Sequence, residues 1–394
     1  MQRGLRRNIW LLHFIYPLSG AWFWLGVWLL WYLQFTDYSG VGLLEMIWVL
    51  LVFTLEIPSG AISDMIGRKK SLLLGFFLNA VGNVVMALAG SFGYGVEMLA
   101  LAIFMMGLGG VFLSGSMEAL IYDSLKTIQR EGEYDKILSR YNTLLFLTMG
   151  VVGAIGGVLY QITNPLPFLL TGVCYLLGTA LLFFIQEPPI DTVKINIRNY
   201  LKQNIAGFKQ LFANTKQDRG ILIVLFGITA LAVPLVEILD TVIVVEEGLD
   251  AAALGLLFGV IPLVAAAGNS AYIFMNRRLG RELHLTLIAA AILLTVVVHP
   301  FVGLGLGIVL LLVRNIFYPQ TNVMGSRIIN EAVESKYRAT SLSSYSLLIN
   351  LPYLLFLPIM GASLDSFGID SVLLALALIG AGVFLAGAVV EARR

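Results

Sequence analysis

The chain contains twelve apolar runs, each long enough to cross a lipid bilayer, joined mostly by short polar connections. A membrane-spanning helix needs about 20 apolar residues, whereas a transmembrane strand needs about 10 of alternating character. Because the runs are continuous, the sequence predicts an all-α integral membrane protein and excludes a transmembrane β-barrel. The mean hydropathy of +0.88 agrees, since a soluble core cannot bury this much apolar surface.

The predicted spans follow the apolar runs and have short connections between them. They cover residues 8–35, 41–63, 71–90, 98–122, 141–163, 166–186, 221–245, 251–275, 283–298, 301–326, 340–364 and 369–390.

The basic residues lie on one side of the predicted membrane. Of 25 Lys and Arg residues, all except Arg314 fall in the termini or in the connections that follow even-numbered spans. Cytoplasmic loops carry such an excess of positive charge. We therefore expect a multi-pass protein of the cytoplasmic membrane, with both termini in the cytoplasm.

One long connection, residues 187–219, separates six spans from six. The sequence therefore predicts an N-terminal bundle at 1–186, a cytoplasmic linker and a C-terminal bundle at 220–394. Apolar residues from Ile197 to Phe212 recur at helical spacing, with basic residues elsewhere around the helix. This pattern favours an amphipathic helix on an anionic leaflet, and a solvated linker is the alternative.

Residues 60–70 read GAISDMIGRKK and carry the most specific motif of the chain. Gly60, Asp64, Gly67, Arg68 and Lys69 stand at the spacing G-x-x-x-D-x-x-G-R-K. The stretch resembles the signature of the major facilitator superfamily, which lies between the second and third spans. It departs from the usual pattern after the aspartate, where methionine replaces a basic residue.

The resemblance implies twelve transmembrane helices in two pseudo-symmetric six-helix bundles that alternately open a central cavity to each side. It also implies a gating latch at the cytoplasmic mouth, in which Asp64 pairs with Arg68 and Asp123 joins from the end of span 4. The latch residues are Gly60, Asp64, Gly67, Arg68, Lys69 and Asp123. The alternative is a turn whose charges serve only membrane topology.

Three charged residues lie deep in predicted spans, where an unpaired charge is costly. Arg314 lies about 16 Å deep in span 10, and Glu237 and Asp240 lie about 14 and 9 Å deep in span 7 at 1.5 Å per residue. Spans 7 and 10 line the central cavity in the superfamily. We therefore expect Arg314 to pair with Glu237 or Asp240 there, with a purely structural salt bridge as the alternative.

Two further acids are candidate proton carriers. Glu56 lies deep in span 2 with Asn79 and Asn83 as its expected polar neighbours, and Glu118 lies one turn inside Asp123. A carboxyl in a low-dielectric environment holds its proton tightly, which suits a group that loads and releases a proton. A permanently protonated structural acid is the alternative for each.

An aromatic wall is a further candidate for ligand contact. Trp24, Trp28 and Trp31 share one face by helical spacing, and with Tyr16 they are expected to form a wall for a planar or cationic ligand. Packing against lipid is the alternative use. The side chains expected to line the cavity are Tyr16, Trp24, Asn315 and Tyr318.

These patterns favour a secondary transporter that exports a drug-like or amphipathic compound against proton entry. A partial glycine pattern in span 5, Gly153 to Gly157, resembles that of drug and proton antiporters but lacks its proline. The alternatives are a proton-coupled importer or facilitator of a polar nutrient or organic anion, and a non-transporting receptor or scaffold.

No nucleotide-binding loop, hydrolytic triad or metal cluster stands in the sequence, so we do not expect an enzyme. We expect no cofactor and no metal, with the proton gradient as the energy source. The expected partners are a small-molecule substrate, protons and the lipid bilayer but no nucleic acid, and the protein is expected to be a monomer.

Overall fold

The computed structural model describes residues 2–189, 219–332 and 338–392. Within these ranges it leaves out some side chains, including those of Glu56, Asp64 and the other residues around them. The predicted amphipathic helix of the linker lies outside the described residues, as does most of the predicted linker.

All regular secondary structure in the described ranges is helical, with almost every helix running into the next through a short turn. The α-helices, numbered α1 to α14 in chain order, are Gln2–Leu18, Trp28–Tyr32, Tyr38–Ile66, Arg68–Ala87, Gly95–Leu113, Ser116–Thr127, Tyr134–Ile162, Leu166–Phe183, Arg219–Pro234, Asp240–Glu246, Ala251–Leu279, Arg281–Val298, Leu304–Ala332 and Arg338–Ala392.

Ten helical segments of the described part are long and apolar enough to cross a membrane. The last of them, Leu348–Ala386, joins predicted spans 11 and 12, and the backbone breaks between the two at Gly368, with φ of 72°. The first predicted span is absent from the ten because its helix is interrupted. The ten segments and the interrupted first span therefore correspond to the twelve predicted spans.

The prediction of one continuous first helix was wrong. Helix α1 ends at Leu18, just after Pro17, and helical structure resumes only at Trp28 in α2. A non-helical backbone inside a membrane protein must find partners elsewhere in the protein. One such partner is the hydroxyl of Thr171 in α8, which accepts a hydrogen bond of 3.1 Å from the backbone N–H of Phe23.

The fourth predicted span lies within the apolar segment Gly95–Thr127, which is built from two helices. Helix α5 ends at Leu113 and α6 begins at Ser116, because Gly115 adopts a left-handed conformation with φ of 68°. Glycine takes this conformation without the steric cost that a side chain adds. The break places Glu118 in the first turn of a new helix.

A single wide turn interrupts span 7. Leu235–Leu239 is a π-helical turn between α9 and α10, directly after Pro234. Proline cannot donate a backbone hydrogen bond, and π turns are frequent at functional sites. This turn carries Glu237, and Asp240 begins the next helix.

The described chain forms two compact units. The first comprises Met1–Ile195 with Asp250–Pro262, and the second comprises Asn196–Leu249 with Leu263–Arg394. The prediction of two six-helix bundles with boundaries at residues 186 and 220 stays a prediction.

Glycines bring two helices of the first unit into backbone contact. A Cβ atom on Gly255 of α11 would lie 2.7 Å from the Cα of Gly157 in α7, and a Cβ on Gly157 would overlap the carbonyl oxygen of Ala251. Small residues at helix interfaces in membranes permit such close approach. We call this contact the glycine seam.

Candidate functional site

The turn between α3 and α4 begins at Gly67, which has φ of 102°. Arg68 follows it, and its Nε lies 3.6 Å from Oδ2 of Asp123 in α6. Arg68 also donates to the hydroxyl of Ser63 at 3.4 Å. Arg68 and Asp123, two of the predicted latch residues, thus lie together, and the gating latch itself stays a proposal. The Asp64 side chain lies outside the described residues, and nothing is assigned to Gly60 beyond its place in α3.

An acid that the sequence analysis left in the linker joins this turn. The Glu187 carboxylate accepts hydrogen bonds from the backbone N–H groups of Arg68 at 2.7 Å and Lys69 at 3.0 Å. These are orphan donors at the start of α4, where a negative charge is stabilised. The ammonium group of Lys69 donates to the carbonyl oxygen of Phe183 at 2.8 Å, so Lys69 ties the turn to α8 and not to Asp123.

Burial raises the pKa of the Glu187 carboxyl above its ordinary value, although the two backbone N–H groups and the charges of Lys69 and Arg68 lower it. The sequence held one signal for this contact, because the four N–H groups at any helix start need acceptors. It did not say which acceptor the fold would supply.

Three residues from three helices meet around the Tyr16 hydroxyl. It lies 2.8 Å from Oδ1 of Asn142 in α7 and 3.2 Å from Oε1 of Glu118 in α6, and its proton is available to either acceptor. Glu118 is partly buried and forms no ion pair within the described part of the chain. Tyr16 and Glu118 are separate candidates in the sequence, and no sequence signal points to Asn142.

The aromatic wall stays a prediction, and two of its tryptophans pack against the same ring. Trp24 lies in the turn before α2, and its carbonyl oxygen accepts a hydrogen bond of 3.0 Å from the backbone N–H of Trp28. Trp24 stacks between Trp22, with ring centroids 5.6 Å apart, and Phe168 of α8, 6.5 Å away, and the Trp31 ring lies 5.7 Å from Phe168. This packing is internal to the first unit.

The second unit holds a buried ion pair. Asp240 and Arg314 are both buried, and Nη2 of Arg314 donates to Oδ1 of Asp240. Asn315 donates to the other carboxylate oxygen, Oδ2, at 2.9 Å. Nε and Nη1 of Arg314 have no hydrogen-bond partner among the described residues. Of the two acids predicted to face Arg314, the structure therefore brings Asp240 to it.

Glu237 lies on the π turn three residues before Asp240, and its side chain is exposed. It lies near the phenol of Tyr318 in α13. Glu237, Asn315 and Tyr318 thus place polar groups around the ion pair, with Glu237 accessible and Arg314 enclosed.

The Glu56 side chain lies outside the described residues, so its environment is not assigned. The side-chain amide groups of Asn79 and Asn83, its expected neighbours, donate to backbone carbonyl oxygens four residues earlier in their own helix, each at 2.9 Å.

Comparisons with known proteins agree with this architecture. The family model described as Major Facilitator Superfamily matches residues 9–347. A protein of Bacillus subtilis (strain 168), named as the uncharacterized MFS-type transporter YxaM, is 28% identical over 181 residues. That match spans 45% of this chain and 42% of the relative, less than half of either.

Solved structures match over nearly the whole chain. The crystal structure of the nucleoside transporter NupG aligns with a TM-score of 0.77 at 13% identity, covering 99% of this chain and 98% of that one. A POT family transporter in complex with 5-aminolevulinic acid aligns with a TM-score of 0.69 at 14% identity, covering 97% and 96%. At such identities the likeness shows the shared fold alone.

Proposed function

Because the chain belongs to the major facilitator superfamily and is a multi-pass membrane transporter, not an enzyme, we propose that it couples proton entry to the export of a drug-like or amphipathic compound. In this proposal it is a monomer of the cytoplasmic membrane with both termini in the cytoplasm. Its partners are a small-molecule substrate and protons, and it needs no cofactor.

The observation that carries the proposal is the group formed by Tyr16, Glu118 and Asn142. Glu118 is a carboxyl without a cationic partner in the described part of the chain, and its one hydrogen-bond donor there is a phenol. A neutral phenol can hydrogen-bond to the carboxyl in either protonation state, so the proton can leave and return without breaking up the group. We assign the coupling proton to Glu118.

The second unit supports the same proposal in a different way. Asp240 is committed to Arg314 by an ion pair and to Asn315 by a hydrogen bond. We therefore propose that Asp240 and Arg314 hold spans 7 and 10 together, with Glu237, Asn315 and Tyr318 beside the substrate. Glu56 stays a candidate second proton carrier.

Proteoliposomes containing the full chain test the proposal, with ethidium as the probe and an internal dye reporting pH. Addition of ethidium under an imposed pH gradient should drive protons across the membrane in the direction opposite to ethidium. Glu118→Gln should reduce this movement to the level of protein-free liposomes, whereas Glu97→Gln, a matched change in the exposed first turn of α5, should leave it intact. Ethidium-dependent proton movement that persists in Glu118→Gln would remove Glu118 from the coupling step.

An importer of a polar nutrient is the second candidate, and the exposed Glu237 beside Tyr318 favours it because these groups suit a hydrogen-bonding substrate. A transport screen over sugars, amino acids, nucleosides and organic anions in the same liposomes separates the two. Uptake of a polar solute along with the proton, with no response to ethidium, would replace the efflux proposal.

A further inference from the structure

The surface of the first unit carries a groove between α1 and α8 that the proposed transport site does not use. It has a volume of about 640 Å³ and its lining is almost entirely apolar. Trp10, Phe14 and Pro17 line it from α1, and Leu177 and Ala180 line it from α8. The side chains of Trp10, Phe14 and Leu177 are at least half exposed, so the groove opens outward from the bundle.

The groove is closed at the end of α1 that carries the arginines, which we call the basic end. There Arg7 donates to the carbonyl oxygen of Phe184 at 2.6 Å, and Asn8 donates to that of Gln186 at 2.7 Å. Farther along the helices, the small side chain of Ala180 leaves a gap that no protein atom fills. In a bilayer this gap faces lipid, so hydrocarbon and not water fills it.

Two arginines at the basic end lie on the same face of α1 as the groove. At 100° per residue, Arg3, Arg6, Trp10, Phe14 and Pro17 fall within about 80° of one another around the helix. Arg3 and Arg6 are exposed. Neither forms an ion pair or a hydrogen bond with any described residue. Two cations that have no partner among the described residues therefore lie one to two helical turns from an apolar groove.

Trp10 lies between the arginines of the basic end and the apolar groove. Trp10 lies one turn beyond Arg6, is 61% exposed and packs edge-on against Phe14 with ring centroids 5.0 Å apart. Tryptophan concentrates at the level of lipid headgroups, where its ring lies in hydrocarbon and its N–H reaches polar atoms. The order from arginines to tryptophan to apolar groove is the order of a phospholipid from headgroup to acyl chain.

We propose that this groove binds an anionic phospholipid from the leaflet at the basic end. One acyl chain lies along Phe14, Leu177 and Ala180, and the phosphate is held by Arg3 and Arg6. A zwitterionic phospholipid offers the same acyl chain but carries an ammonium group that the two arginines repel. The site therefore selects phosphatidylglycerol over phosphatidylcholine.

Native mass spectrometry of the full chain, purified in detergent and mixed with equal amounts of phosphatidylglycerol and phosphatidylcholine, tests the proposal. Wild-type protein should retain mainly phosphatidylglycerol. Arg3→Ala with Arg6→Ala should lower its affinity about fivefold for each arginine removed. The matched change of two exposed arginines at the end of α11, Arg277→Ala with Arg278→Ala, should leave the preference unchanged.

A variant that fills the groove, Ala180→Phe, should lose bound lipid of both classes while keeping the thermal stability of the wild type. Should Ala180→Phe fail to fold, Leu177→Trp, at an exposed position of the same groove, takes its place. Equal retention of the two lipids, or unchanged retention in the filled variant, would overturn the proposal. Ethidium could instead displace the bound lipid from a groove that shows no preference for phosphatidylglycerol. That result would overturn the lipid-site proposal and would indicate that the groove admits substrate from the bilayer.

Discussion

At the scale of single residues, the Asp240–Arg314 pair is the most constrained charged group of the described chain. Both side chains are buried, and Asn315 satisfies the second carboxylate oxygen. Taking two charges out of water is costly, so a buried pair adds little net stability. Removing one partner is different, because it leaves the other charge buried and uncompensated.

Arg314→Ala should therefore lower the free energy of unfolding by about 3 to 5 kcal/mol. The control is Arg327→Ala, which removes an exposed arginine from a pair with Glu331 and should cost about 1 kcal/mol or less. Thermal unfolding of the purified variants in detergent measures both. Equal losses of stability in the two variants would show that the buried ion pair contributes no more than the exposed one.

Replacing both members by apolar residues of similar size, Arg314→Met with Asp240→Leu, should recover most of the stability lost in Arg314→Ala. A buried ion pair can be exchanged for well-packed apolar side chains at little cost. Transport by this double variant then tells whether the charges serve more than assembly. Restored stability with lost transport would assign the pair a role in the transport cycle, and restored transport would make it purely structural.

The carboxyl of Glu187 gives a pH dependence whose sign follows from its raised pKa. A folded protein that binds this proton more tightly than the unfolded chain is stabilised below the unfolded pKa, and this stability is lost as pH rises through the folded pKa. The stability advantage of wild type over Glu187→Gln should thus shrink as pH rises above the ordinary pKa of a glutamate, about 4.3. Unfolding temperatures on either side of that pH measure it, and an advantage that grows with pH would contradict it.

At the scale of helices, the starts of α4 and α12 offer a matched comparison. Gly67 and Gly280 precede these helices with φ of 102° and 76° and with ψ of 148° and 164°. A side chain is strained at both positions. Their surroundings differ, because a Cβ on Gly67 would lie 2.9 Å from Oε2 of Glu187, whereas a Cβ on Gly280 would meet no described atom within 4 Å.

Gly67→Ala should therefore destabilise the protein more than Gly280→Ala, although each carries a backbone cost of about 1 to 3 kcal/mol. The extra loss comes from pushing the Glu187 carboxylate away from the N–H groups that it caps. Thermal unfolding of both variants in the wild-type and Glu187→Gln backgrounds isolates that part. If the difference between the two glycines survives in Glu187→Gln, the carboxylate is not its cause.

At the scale of the whole molecule, the glycine seam decides how closely α7 approaches the part of α11 that belongs to the first unit. Gly157 has no room for a Cβ, whereas a Cβ on Gly153, one turn away, would make an ordinary contact of 3.4 Å with the Cα of Gly259. The alanine variant at Gly153 therefore serves as a control, because it adds the same methyl group as the variant at Gly157 without changing the helix spacing.

Gly157→Ala should push α7 and α11 apart, and Gly153→Ala should not. Nitroxide labels at Ile162 and Leu256, both exposed, report the spacing by pulsed electron resonance in a Cys174→Ser background. We expect a longer or broader distance distribution in Gly157→Ala alone. Identical distributions in the two variants would show that the seam does not set the spacing.

The sequence by itself determined the membrane class, the twelve spans and the position of the superfamily motif. These properties depend on the length of apolar runs and on fixed spacing within a few residues, and both are local. It also determined that Arg314 needs an acid at matching depth, because an unpaired charge is costly in lipid. The sequence did not decide whether Glu237 or Asp240 pairs with Arg314, since both acids lie on the same span at similar depth.

Only the tertiary structure decided which distant groups meet. Glu187 caps a helix that begins 119 residues earlier, and Asn142 reaches the hydroxyl of Tyr16 across 126 residues. The break in the first span likewise depends on Thr171, a partner in α8. Such contacts leave no trace in local spacing, because any helix start needs an acceptor and any buried hydroxyl needs a partner, but the packing of the helices chooses which one.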